Sequence, residues 1–284
     1  NYLKTTLRFL WKNKTYSLIN IIGLTAGTVA CLYILLYVRE QYSYDKHHKD
    51  ADRIYRVTSY LSRKGDESAH MATCSPPIAP AMKNDFAEVQ QFTRVVCTIG
   101  QNQNLLKYKD KMFYETDALF VDSTFFDMFT YQFLYGSPIK AIQDPYSIVL
   151  DKSTAIKLFG NTNPVGEFID IDNRYGKHPF KVTGVVDQSS ERSHIRGRIF
   201  IAMNSGGIGD YVTSNTSWVG NNLTLSYVKL QPNADAQALE AKLPEFLQKH
   251  GAEQFKGSGR EKILHLQPVT DIHTSPGYDA ESDK

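Results

Sequence analysis

The sequence predicts an α+β protein: one N-terminal transmembrane helix, then a two-part water-soluble domain. Three observations predict it. No side chain from Thr15 to Val38 is charged. After residue 39 no apolar run approaches the roughly 18 residues a second membrane helix needs. β-α-β patterns occur at both ends of the remaining chain, with short strands between them.

Composition narrows the class. The chain has 284 residues, enough for one large domain or two ordinary ones. Lys+Arg 32 against Asp+Glu 30 is nearly balanced, which argues against a dedicated nucleic-acid binder and against an acidic disordered tail. Three cysteines are too few for a disulfide scaffold. A mean hydropathy of −0.37 excludes a chain made mostly of membrane helices, but not one such helix diluted by a large soluble domain.

Residues 16–38 form the apolar run. At about 1.5 Å per residue they reach roughly 34 Å, enough to cross a hydrocarbon core of about 30 Å. A secretory signal has an apolar region of about 7–15 residues, and this one is longer. A lipoprotein signal ending at Cys31 fits poorly, because 32–38 stays apolar where a mature lipoprotein turns polar. Within the run, Gly23 and Gly27 are spaced i, i+4, continued by Cys31. Ala26 and Ala30 make a second small pair. Such residues share a helix face and permit close approach of another membrane helix, so these five are the expected packing seam.

Before the run, Tyr2, Leu3, Leu7, Leu10 and Trp11 recur at helical spacing. Lys4, Arg8, Lys12 and Lys14 are interleaved with them. Residues 1–15 therefore read as a basic amphipathic helix suited to an anionic membrane surface. Those residues carry four Lys/Arg, against three in 39–52, a small bias toward a cytoplasmic N-terminus. With no proline before Pro76, the helix is expected to run unbroken from Tyr16 to about Tyr44, above a stalk over 39–52.

In the soluble part, 53–61 alternates as a strand, 78–85 reads as a helix opened by Pro76-Pro77, and 89–99 is a second strand. Near the other end, 223–231 is a strand and 262–268 the closing one. Between them 234–250 reads as a helix with a kink at Pro244 and a stop at Gly251. These terminal pieces are expected to pack together, with 101–222 inserted between them. The insertion offers short strands at 112–114, 146–150, 167–171, 180–186 and 199–203. It also holds the aromatic cluster Phe125, Phe126 and Phe129, and a helix at 153–159 capped by Asp151 or Ser153 and ended by Gly160.

Chemical motifs are sparse. There is no G-x-x-x-x-G-K-[ST], G-x-S-x-G or H-E-x-x-H pattern. Gly206, Gly207 and Gly209 lack the spacing of a dinucleotide loop and read as a flexible turn. His47 and His48 beside Asp45 offer metal-ligand atoms, but adjacent residues point apart on a helix. Spacing leaves open whether Cys74 and Cys97 pair. The sequons at Asn215 and Asn222 carry little weight. No acid, base or nucleophile constellation suggests an enzyme.

Several stretches resemble, in order, MacB/FtsX-type ABC transporter permeases, especially the long Bacteroidetes versions. INIIGLTAGTVACLYILLYV resembles the first membrane helix. YSYDKHHKDADRIYRV resembles the passage into the periplasmic domain. VDSTFFDMFTYQFLYGSP, SIVLDKSTAIKLFGNTNPVGEFIDI, FKVTGVV and SHIRGRIFI follow in the family's order, and VTDIHTSP resembles the lead-in to a second membrane helix. The most specific piece is Ala155 to Gly160 followed by Asn163-Pro164-Val165-Gly166.

The resemblance implies a porter-like subdomain over 53–100 and 223–275, interrupted by a sabre-like one over 101–222. Residues 276–284 would then lead into a second membrane helix, the chain being a piece of a longer permease. It further implies a non-enzymatic permease subunit that works with a second permease copy and a cytoplasmic ABC ATPase, which would bind the ATP; this chain would hold no cofactor or metal. Membrane lipid is an implied contact, as is, for some members, a periplasmic adaptor or outer-membrane component. Inner-membrane localisation with a periplasmic main domain follows. Residues alone leave two other classes open, a single-span receptor and a surface-anchored binding protein.

The orientation is open to direct measurement. Cysteines are introduced by Lys4→Cys or Ser189→Cys in a chain lacking Cys31, Cys74 and Cys97, and intact spheroplasts are treated with an impermeant thiol reagent. Labelling at 189 and not at 4 is expected; the reverse would invert the orientation.

Overall fold

A computed structural model describes residues 2–12, 14–63, 68–97, 104–188, 192–275 and 277–278. It falls into two compact units, Asn1–Tyr44 and Asp45–Lys284.

The first unit is helical. α1 (Tyr2–Lys12) has no acid in its first turn and Lys12 in its last, a distribution that complements the helix dipole at the C-terminal end. α2 (Lys14–Gln41) is a single 28-residue helix, long and apolar enough to cross a membrane, with its apolar side chains exposed. In water that surface would be prohibitive; in hydrocarbon it is what solvation requires, with every backbone group bonded inside the helix. The helix closes earlier than the sequence suggests. After Gln41 the chain turns, with the Tyr42 amide bonded to Val38 O at 3.0 Å and the Ser43 amide to Glu40 O at 3.0 Å.

The second unit is built on one mixed sheet. Its strands are β1 (Ile54–Arg63), β2 (Ala69–Met71), β3 (Val89–Cys97), β4 (Asn104–Tyr108), β5 (Lys111–Glu115), β6 (Ala118–Val121), β7 (Gln132–Gly136), β8 (Ser147–Asp151), β9 (Phe168–Asn173), β10 (Gly176–Asp187), β11 (Ile199–Ala202), β12 (Leu225–Leu230) and β13 (Arg260–Pro268). The order across it is β13-β1-β12-β3-β6-β11-β8-β10-β9-β4-β5, with β2 on β1 and β7 on β10. The strands from the two chain ends are neighbours: β1 pairs with β12 through Tyr55 and Val228, and with β13 through Val57 and Leu266. Hydrogen bonding then continues into the middle of the chain without a gap, as β3 pairs with β6 through Val95 and Val121. Most pairs are antiparallel; β6–β11 and β8–β10 are parallel.

The helices are α3 (Ile78–Asp85), α4 (Phe125–Met128), α5 (Lys152–Phe159), α6 (Ile208–Ser214), α7 (Ala236–Glu240) and α8 (Leu243–Ser258). Three buried clusters follow from their placement. α3, α7 and α8 cover one end of the sheet around Ile78, Phe246 and Leu264. α4 and the strands beside it enclose Phe125, Phe129 and Phe200. α5 packs Ala155 and Leu158 on Ile148, Ile169 and Val182. α5 starts where expected, because Asp151 accepts hydrogen bonds from the amides of Ser153 at 3.2 Å and Thr154 at 2.8 Å. It ends at Gly160, whose φ of 69° admits the positive-φ turn.

Three expectations fail for identifiable reasons. Residues 234–250 are not one kinked helix, because Pro244 takes a first-turn position and starts a new helix, α8, after α7 has closed. Gly251 does not stop α8, which runs to Ser258 and is capped by Gly259 in the left-handed region. Gly251 is there for space: a Cβ on it would lie 2.6 Å from the Phe255 ring and 3.0 Å from Trp218 Cβ. The turn at Gly206, Gly207 and Gly209 is not loose either. Gly206 and Gly207 have positive φ and lead directly into α6, and a Cβ on Gly209 would sit 1.7 Å from Met203 O. Gly209→Ala is therefore expected to destabilise the domain by about 1–3 kcal/mol, read as a lowered urea midpoint with an unchanged slope.

Candidate functional site: a buried anchor at the start of the soluble domain

The segment expected to be a stalk divides at Tyr44. Residues 45–52 belong to the folded domain, and Asp45, His48 and Ala51 are buried in it. Asp45 is the anchor. Its side chain is fully buried, and its backbone takes a φ of 58°, which Asp tolerates better than most residues. Its amide donates to Arg192 O at 2.8 Å. Its Oδ1 accepts from the Ser193 hydroxyl at 2.7 Å and the His194 amide at 3.1 Å. Its Oδ2 lies 2.9 Å from His194 Nδ1.

The carboxylate only accepts, and His194 Nδ1 faces it as an ion-pair contact. The other ring nitrogen, Nε2, is 2.8 Å from the Tyr227 hydroxyl, on β12. His48 completes the group: its Nδ1 accepts from the Thr130 amide at 3.1 Å, and its Nε2 faces Asp45 Oδ1 at 3.5 Å. Phe129 closes the apolar side, edge-on to both His48 and Tyr227. A carboxylate buried alone would be pushed up toward neutrality. Here burial is overcome by His194, with help from hydrogen bonds to His48 and Ser193, and the carboxyl is held well below its usual range. His47, partly buried beside His48, is pushed down to about 4 by loss of hydration.

The following residues fasten the segment across the sheet. The Lys49 amide donates to Thr130 Oγ1 at 3.0 Å. Asp50 pairs with Arg53 and, at 3.1 Å, with Lys229 on β12. Arg53 reaches Gln90 at 3.0 Å and Leu230 O at 3.1 Å. The other end of the domain arrives at the same place: Val269 and Ile272, just after β13, lie in one buried cluster with Ala51, Ile54 and Phe129.

Elsewhere the chemistry is structural. Lys262 is buried among neutral oxygens, donating to Ser75 Oγ at 2.7 Å, Trp218 O at 2.8 Å and Asn222 Oδ1 at 2.8 Å, and burial pushes its pKa down to about 8. Cys74 and Cys97 are free thiols, and burial pushes Cys97 up to about 11. An open cleft of about 510 Å³ lies beside α5, but its charges pair with one another, Lys152 with Asp187 at 2.8 Å and Arg198 with Asp151 at 3.3 Å. Asp45, His47 and His48 do not form a metal cage: the Asp45 oxygens are committed to hydrogen bonds, and among the described residues no group of three or more His, Cys, Asp or Glu is arranged to hold an ion.

The residues singled out in the first unit are all exposed: Gly23, Ala26, Gly27, Ala30 and Cys31 on α2, and Lys4, Arg8, Lys12 and Lys14 before and at its start. No atom lies within 4 Å of a Cβ built on Gly23 or Gly27. No local pattern marks the Asp45 anchor as a unit, since its partners lie 148 and 149 residues away.

A helix long and apolar enough to span a membrane, followed by a sheet-rich domain whose two ends meet in one cluster, defines an α+β domain behind a candidate membrane helix. Residues 17–246 match the MacB-like periplasmic core domain family, and the chain belongs to it. Two crystal structures share the fold. A domain assigned to a permease of Porphyromonas gingivalis is 23% identical with a TM-score of 0.64, over 78% of this chain and 92% of that one. The periplasmic region of MacB from Actinobacillus actinomycetemcomitans is 17% identical with a TM-score of 0.51, over 80% and 95%. No curated protein matches the chain. The domain is thus a MacB-like periplasmic core domain.

The anchor's worth is measurable. Asp45→Ala leaves buried donors on Ser193 and His194 without their acceptor and is expected to cost about 3 kcal/mol. The pH dependence follows from the two depressed values. Asp45 stabilises the fold fully above the ordinary carboxylate range, and that effect fades progressively as pH falls through and below it. His47 binds its proton more readily unfolded, so its contribution is complete above about 6.5 and is lost as pH falls toward about 4. Denaturation at stepped pH is expected to show stability falling across that window, with a shallower slope in His47→Gln.

Proposed function

We propose that the chain is the permease subunit of a MacB/FtsX-type ABC transporter. On this reading α2 spans the inner membrane with Asn1 in the cytoplasm and the domain in the periplasm. ATP is bound and hydrolysed by a separate cytoplasmic ATPase, and two permease copies pass the resulting motion to their periplasmic domains for export or mechanotransmission. The observation that carries it is the convergence of the domain's two ends, Ala51 and Ile54 with Val269 and Ile272, in one core. The residues that enter the domain and those that leave it then belong to one packed core, which can pass motion to the sheet.

The remaining assignments fit the same scheme. Lys4, Arg8, Lys12 and Lys14 hold α1 on the anionic cytoplasmic leaflet. Gly23 and Gly27, with Ala26, Ala30 and Cys31, receive a neighbouring membrane helix, where small residues let backbones approach and gain dispersion contacts. The strands from 53–100 and 223–275 serve as the porter-like part, and 101–222 as the sabre-like insertion. A periplasmic adaptor or outer-membrane component is the remaining partner of this scheme.

The test is ATP hydrolysis by the full-length permease with its ATPase partner in lipid. Stimulation over either component alone is expected, with a loss of tenfold or more in a Gly23→Leu, Gly27→Leu double variant that still inserts. Saturable hydrolysis by the permease alone would contradict the reading. Wild-type stimulation in the double variant would remove the glycine seam from it.

A further inference from the structure

Among the described residues the sheet ends on β5, which pairs there only with β4 and leaves its other edge open. Tyr108 and Lys111 flank a two-residue turn in which Lys109 has φ 54°. In such a hairpin the flanking residues are a hydrogen-bonded pair, and bonded and non-bonded pairs then alternate. Lys111, Phe113 and Glu115 therefore spend their backbone groups on β4. The amides and carbonyls of Met112 and Tyr114 point outward. The side chains of the same two residues are exposed, 61% and 63%.

This edge is complementary to itself. Centred on Phe113, an antiparallel copy sets Met112 opposite Tyr114 and Tyr114 opposite Met112, so that both outward residues exchange N–H···O bonds with their counterparts. The same register brings Lys111 against Glu115, opposite charges, twice over by symmetry. Sliding by one pleat in either direction keeps the bonding parity but breaks the Lys111–Glu115 pairing and sets Lys111 or Glu115 against Phe113. On one face Met112 meets Tyr114, and on the other Phe113 meets Phe113, pairings that favour cross-strand contact. Lys111 and Glu115 are already held, Lys111 by Leu158 O at 2.8 Å and Glu115 by the amides of Thr116 at 3.1 Å and Asp117 at 3.3 Å. Little side-chain order remains to be imposed on pairing.

We propose that β5 is a homotypic docking edge, joining the sheets of two copies of this chain in antiparallel register about Phe113. The proposal deepens the reading that two permease copies assemble, by naming a periplasmic contact between them.

Disulfide trapping tests it in the full chain in lipid, with Cys31 and Cys97 replaced by serine and the buried Cys74 retained. A copy with Met112→Cys and a differently tagged copy with Tyr114→Cys are mixed and oxidised. The mixed pair is expected to cross-link at least fivefold more than either variant with itself. As an independent check, Glu115→Lys is made alone and together with Lys111→Glu. The single reversal is expected to lower the dimer fraction of the full chain severalfold and the double reversal to restore it, with thermal midpoints confirming that both fold. Equal or absent cross-linking, or a dimer fraction indifferent to the reversals, overturns the edge contact. If the chain is still dimeric and still stimulated by its ATPase partner, the edge proposal alone has failed.

Discussion

A buried carboxylate at the first residue of the soluble domain is the constraint on which the rest depends. Asp45 leaves water completely, a step that is unfavourable unless the charge is met by donors. Ser193, the His194 amide and the His194 ring meet it, and none of these is near it in sequence. Satisfying Asp45 therefore requires that the loop before β11 be in place. Through Tyr227 and Lys229 the neighbouring residues also require β12. The fold is closed around its own beginning.

That closure suits the proposed role, in which the domain would carry force. The residues after α2 do not dangle as a stalk. Within nine residues of Gln41 the chain is already bonded to β12 and to the turn after α4. The far end of the domain, Val269 and Ile272, joins the same core. The sheet then runs without interruption from β13 to β5, so whatever moves this corner acts on one continuous hydrogen-bonded body.

Much of this was legible in the residues. The charge-free run showed α2 because a membrane helix has a composition that little else shares. α3, β3 and α5 were legible from local signals, the Pro76-Pro77 opening, alternation, and the Asp151 cap with Gly160. β6 and β7 were missed. β6 is four residues buried on both faces, which leaves no alternation to read, and β7 lies at the side of β10 with a register shift in its pairing. Gly251 was misread as a helix end because local sequence cannot show that Trp218 and Phe255 crowd that point. The Asp45 anchor was invisible for a related reason. His47 and His48 drew attention as metal ligands, whereas the partner that matters, His194, becomes a neighbour only when the sheet has formed.

Native-state hydrogen exchange on the full chain in lipid tests this account most directly. The amides of Asp45, Ala51, Thr130 and His194 are each bonded within the anchor. If the anchor is part of the cooperative core, they exchange only as slowly as Val57 and Val228 at the centre of the sheet, by whole-domain unfolding. Exchange of those four amides at the rate of surface turns, while β1 and β12 stay protected, would show a corner that opens on its own and would contradict the transmission of force through it.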